Sequence, residues 1–92
     1  MLVKKVRIKN KLGLHARAAV KFVNTANRFA SSVRLEKDGQ EIDGKSILGI
    51  LTLAATQGTE LIIKVTGRDE QAAMNALIKL IDNKFYRSEE HT

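Results

Sequence analysis

Residues 6–23 read VRIKNKLGLHARAAVKFV, and the change of period inside this stretch decides the fold. Upstream of the change, Leu2, Val6 and Ile8 alternate with Val3, Lys5, Arg7 and Lys9, the pattern of a strand with one wet face. Downstream, Ala19, Phe22, Val23 and Ala26 recur at the spacing of an apolar helix stripe. A strand therefore stops, Gly13 allows an unusual backbone angle, and a helix from Ala16 to Arg28 starts directly after His15.

Working outward, the same two periods repeat. Val33 and Leu35 mark a second strand, Asp38-Gly39 a hairpin and Ile42 a short third strand. Asp43-Gly44 breaks the chain again. Ser46 caps a short apolar helix from Ile47 to Leu53, closed by Gln57-Gly58. Leu61, Ile63 and Val65 alternate along a fourth strand, and Gly67 ends it. Asp69 caps the last helix, whose stripe is Ala73, Ala76, Leu77, Leu80 and Ile81; Phe85 and Tyr86 pin its end. The order is βαββαβα. Each strand has one apolar face and each long helix one apolar stripe. Both are satisfied by an α+β, two-layer open-faced sandwich: a four-stranded antiparallel sheet with three helices on one face. The split βαβ topology places the fourth strand between the first and second. Lys5, Arg7, Arg34, Glu36 and Lys64 then face water.

The chain of 92 residues suits a single domain, expected over residues 1–86 with a flexible tail over 87–92. Aromatics make up 4% of the residues, so the core must be aliphatic. Without cysteine there is no disulfide, thiol nucleophile or thiolate metal site. Neither a metal nor a cofactor is expected. The start lacks the apolar run of a secretory signal, and no stretch approaches the ~20 apolar residues of a membrane helix; a cytoplasmic protein that avoids membranes is expected. The net charge is +6, and nine Lys and Arg residues, Lys4 to Arg34, precede the first acid, Glu36. That positive third would attract an acidic protein surface, a phosphorylated group or nucleic acid, or serve solubility alone.

The chemistry concentrates at the strand-to-helix junction. The first-turn amides of Ala16, Arg17 and Ala18 point outward from a helix end that binds anions through its amides and its dipole. Arg17 adds a positive fork for phosphate oxygens. A positive helix end favours the neutral, nucleophilic ring of His15, and once that ring carries a phosphoryl group the same amides hold the new negative charge. The N–P bond is labile, so the group can be passed on. No carboxylate pair, Ser-His-Asp set or second nearby histidine suggests hydrolysis; His91 belongs to the tail. By itself, one histidine in a loop is more often structural or solvated, and Gly-x-His-x-Arg alone is weak.

Gly13-Leu14-His15-Ala16-Arg17-Ala18 resembles the active-site motif of the HPr family, the histidine-containing phosphocarriers of the bacterial phosphoenolpyruvate-dependent phosphotransferase system. Lys45-Ser46-Ile47-Leu48-Gly49-Ile50-Leu51 resembles that family's regulatory serine segment at the right separation, and the likeness covers nearly all of the chain except the tail. The resemblance implies an HPr-like fold and a stoichiometric carrier rather than an enzyme. It implies that His15 accepts a phosphoryl group on Nδ1 from enzyme I, itself charged by phosphoenolpyruvate. The group then passes to IIA proteins of sugar transport or regulatory systems. Arg17 and the amides of Ala16, Arg17 and Ala18 would contact the phosphate; Val20, Ile47, Leu48 and Leu51 would form the docking patch; Ser46 would be a site for an HPr kinase/phosphorylase. The carrier would work as a monomer. The chain departs from the family pattern in three places. Ala18 replaces the usual proline and resembles the nitrogen-related branch. Leu12 stands where many relatives have a small polar residue, removing a capping contact. Asn24 and Asn27 thin the basic face of the first helix.

Two alternatives stand beside the carrier. One is a mainly regulatory protein acting by phosphorylation-dependent partner binding through Ser46, a residue that is first of all a good N-cap. The other, ranked last, is a small basic nucleic-acid-binding domain. Phe22, Phe29 and Phe85 fall on helices or their ends, leaving the strands without a stacking platform, so nucleic acid is not an expected partner.

Overall fold

The computed structural model describes residues 1–87. Its elements are β1 (Leu2–Arg7), α1 (Ala16–Ala26), β2 (Ser32–Lys37), β3 (Gln40–Asp43), α2 (Ile47–Thr52), β4 (Glu60–Thr66), α3 (Glu70–Asp82) and a short α4 (Lys84–Arg87). The strands form one sheet in the order β1-β4-β2-β3, with every neighbouring pair antiparallel. The expected βαββαβα order and the insertion of β4 between β1 and β2 are therefore found. Asp38 and Gly39 both have positive φ, 51° and 83°, as the two-residue hairpin joining β2 to β3 requires.

The helices cover one face. Val33 and Leu35 of β2 and Leu61, Ile63 and Val65 of β4 meet Phe22 of α1, Ile50 of α2 and Leu77 of α3 in a core whose fully buried members are almost all aliphatic. One adjustment concerns the stripe of α3: Ala76 is only half-buried, and Met74 is fully buried beside Ala73 and Leu77. Helix α1 also stops two residues short of the expected Arg28.

The outer face of the sheet is charged as expected, and its charges are matched across strands. The Lys64 ammonium lies 2.9 Å from Glu36 and 2.8 Å from Glu41, Arg34 lies 3.2 Å from Glu41, and Arg7 lies 3.2 Å from Glu60. Hydrogen bonds from Lys64 and Arg34 hold the Glu41 carboxyl below its ordinary range, and Glu41 and Glu36 hold the Lys64 ammonium above its own.

Two features at the ends of α3 differ from the sequence reading. Asp69 occupies the N-cap position but makes no side-chain cap bond. Its carboxylate accepts hydrogen bonds instead from the amides of Ala30 (2.8 Å) and Ser31 (2.9 Å) and from the Ser31 hydroxyl. These bonds, the hydroxyl foremost, hold its carboxyl below the usual carboxylate range. Asp69 thus staples the α1–β2 connection, a long-range role that a capping pattern does not announce. At the other end, Lys84 and Phe85 take positive φ; Phe85 is fully buried, and its carbonyl accepts from Lys21 Nζ of α1 at 3.1 Å. Phe85 pins the helix end as expected, within an additional turn, α4, that the sequence did not announce. Arg87, the first residue of the expected tail, closes that turn, and residues 88–92 lie outside the described residues.

Candidate functional site

The junction after β1 is held before it turns into a helix. Asn10 is fully buried. Its carbonyl accepts from the Gly13 amide at 3.2 Å, closing a four-residue turn, and its Nδ2 donates back to the Gly13 carbonyl at 2.6 Å. Gly13 has φ +68°, and a Cβ there would collide with the Ala55 carbonyl; glycine is required on both counts. The next amide, Leu14, donates to that same carbonyl at 2.9 Å. The turn is thus bolted to the segment that follows α2.

His15 follows immediately as the N-cap of α1, with extended backbone (φ −78°, ψ 176°) and no side-chain cap bond. Its carbonyl accepts from Ala19 at 2.9 Å, the first bond of the helix ladder. The amides of Ala16, Arg17 and Ala18 precede that ladder and carry the positive end of the helix dipole. The His15 residue is half-buried and its Nε2 atom is buried. Ala16 and Arg17 are exposed, whereas the Ala18 methyl is fully buried. The structure therefore brings His15, Arg17 and the three amides together on one helix end.

Helix α2 is fixed at both ends. Ser46 is its N-cap, and its hydroxyl accepts from the Gly49 amide at 3.0 Å. Lys37 donates to the Leu53 carbonyl at the other end at 2.8 Å, and Lys45 reaches the Phe29 carbonyl at 2.9 Å. The division of its apolar residues, which periodicity leaves open, is clear here. Ile50 is fully buried, Leu51 packs partly against the core, and Ile47 (38%) and Leu48 (76%) are exposed. Val20 is exposed on α1, and α1 and α2 pack together.

Sequence reasoning missed the residues that hold the junction, Asn10 and Ala55, and the lysines that fix α2. Asparagine at a strand end reads simply as a turn former, and backbone acceptors carry no signature. Among the described residues, no group of three His, Cys, Asp or Glu side chains is placed to hold a metal, and no helix is long and apolar enough to cross a membrane. A shallow depression of about 250 Å³ on the outer face of the sheet, lined by Lys5, Glu36, Asp38, Gly39, Glu60 and Ile62, includes none of the candidate site residues.

Comparison with known proteins agrees with this geometry. Residues 2–83 match the family model described as PTS HPr component phosphorylation site. The chain is 46% identical over 85 residues to the phosphocarrier protein HPr of Xylella fastidiosa (strain Temecula1), covering 92% of this chain and 96% of that protein. It is 44% identical over 84 residues to the HPr-like protein Crh of Bacillus subtilis (strain 168), covering 91% and 99%. Among solved structures it is similar to HPr-C-His from Thermoanaerobacter tengcongensis, with a TM-score of 0.92, 43% identity, and coverage of 96% of this chain and 99% of that one. A strand-to-helix junction built around a histidine, in a fold and a sequence that match these proteins nearly end to end, places the chain in the HPr family, the phosphoryl carriers of the phosphotransferase system.

Proposed function

We propose that Nδ1 of His15 accepts a phosphoryl group from enzyme I and passes it to IIA proteins, the carrier acting as a cytoplasmic monomer. The observation that carries this reading is the position of His15 as the N-cap of α1, with the helix ladder beginning only at Ala19. Burial of Nε2 favours Nδ1 as the ring nitrogen that meets the donor. In the transfer, Nδ1 attacks phosphorus, the bond from phosphorus to the donor breaks, and the new N–P bond leaves phosphoryl oxygens beside the amides of Ala16, Arg17 and Ala18. Those amides and the Arg17 guanidinium stabilise the charge. The same sequence in reverse delivers the group to the acceptor. Val20, Ile47, Leu48 and Leu51 supply the docking patch, a small apolar area beside a charged centre that suits transient association.

The test is incubation with enzyme I, magnesium and phosphoenolpyruvate. One acid-labile phosphate is expected, lost in His15→Ala and kept in His91→Ala. Label retained by His15→Ala would refute the assignment.

A regulatory role for Ser46 as a substrate of an HPr kinase/phosphorylase has one supporting observation: its hydroxyl stands at the start of α2 directly before exposed Ile47 and Leu48. Assignment to the nitrogen-related branch rests on Ala18; the relatives matched carry the names HPr and Crh, which do not separate the branches. Nucleic-acid binding has no support in the sheet, whose four strands contain no aromatic residue.

A further inference from the structure

Leu12 is 56% exposed and is not among the apolar residues that pack against the core. It stands at a corner of the turn closed by the Gly13 amide on the Asn10 carbonyl. That turn is fixed from within by the Asn10 side chain and from below by the Leu14–Ala55 bond. The leucine is therefore presented on a rigid support. The fold gains nothing from an apolar side chain held in water, and turn corners are better served by polar residues or glycine. Its position matters because of what lies three residues on. Three residues of chain span at most about 11 Å, whereas a standard interface covers about 800 Å² on each partner, a disc of roughly 16 Å radius. An interface centred on His15 is therefore wide enough to reach Leu12.

We propose that Leu12 is a specificity-determining residue for phosphoryl transfer. The partner meant is enzyme I, which offers an apolar pocket to it, and a donor with a polar group there is rejected because Leu12 would strip that group of water without replacing its hydrogen bond. This inference rests on the proposed transfer at His15 and adds to the docking residues of α1 and α2 an apolar contact from the turn itself.

Steady-state phosphorylation by enzyme I, with the carrier as varied substrate, tests it. Leu12→Ser and Leu12→Asn are expected to raise KM about tenfold while kcat stays at the wild-type value and the melting temperature stays at or above it, since a polar side chain suits the turn corner; Leu12→Met is expected to stay within about twofold of wild type. Unchanged KM in both polar variants would overturn the inference. So would a fall in kcat at constant KM, which would make Leu12 a part of the turn's geometry alone. His15→Ala run in parallel separates the two layers: label on that variant removes the transfer reading and the Leu12 assignment with it, whereas normal loss of label with unmoved KM values removes only the latter.

Discussion

At the scale of single residues, the proposed function and its structural support divide between neighbours. Arg17 is exposed and contributes little to the core; Asn10 is fully buried and holds the turn from inside. Arg17→Ala is therefore expected to slow phosphorylation by enzyme I about tenfold, roughly 1.4 kcal/mol of transition-state stabilisation, with the melting curve unchanged. Asn10→Ala leaves the buried Gly13 carbonyl without its side-chain donor and is expected to cost about 1–3 kcal/mol of stability. Thermal unfolding of the two variants beside a transfer assay separates the roles. The same contrast explains what was legible in advance. His15 and Arg17 stand out as candidates once the family resemblance is added, since a ring nucleophile and a guanidinium beside a helix start have a chemical meaning in sequence. Asn10 acts on a backbone carbonyl, and Gly13 needs its missing side chain because of Ala55, more than forty positions away; neither partner leaves a mark in the local pattern.

At the scale of elements, alternation and helical spacing carried the order of strands and helices, because each element has one face against a common core. The ends were less legible, because caps and staples depend on what arrives from elsewhere in the chain. Ser46 behaves as read, capping Gly49; Asp69 sits at a cap position and binds Ala30 and Ser31 instead. Each yields a prediction. Ser46→Ala should lose about 1 kcal/mol and still transfer at near the wild-type rate. Ser46→Asp should melt at or above the wild-type temperature, since negative charge is favoured at a helix start, yet accept phosphate more slowly through repulsion of a partner's carboxylates. Normal transfer by the aspartate variant would leave Ser46 as a cap only. For Asp69, the folded protein holds the carboxyl below its unfolded value, so its contribution is complete above about pH 4 and is lost as pH falls through the lower folded value. Asp69→Asn should therefore melt below wild type at pH 7, and the gap should narrow steadily in melts taken from pH 4 downward.

At the scale of the whole molecule, charge and topology interact. The positive excess of the N-terminal third is partly matched on the sheet's outer face and by Lys9–Asp82 at 3.1 Å, while the net charge remains +6. If that field steers an acidic partner, kcat/KM for phosphorylation should fall severalfold between 0.1 and 1 M salt, as the screening length drops from about 10 to about 3 Å. A rate indifferent to salt would confine the lysines to solubility. Strand order has another consequence. Among the described residues β1 pairs only with β4, Leu2 opposite Val65, so the first strand made waits for the last. At 5–20 residues per second, synthesis leaves it waiting roughly 3–13 s. During that interval Leu2, Val6 and Ile8 have no sheet to join, and an apolar strand without a partner is an invitation to aggregate. Lys4, Lys5, Arg7 and Lys9 are interleaved with them and act as gatekeepers on the nascent chain, protecting it before there is any folded surface for a partner to recognise.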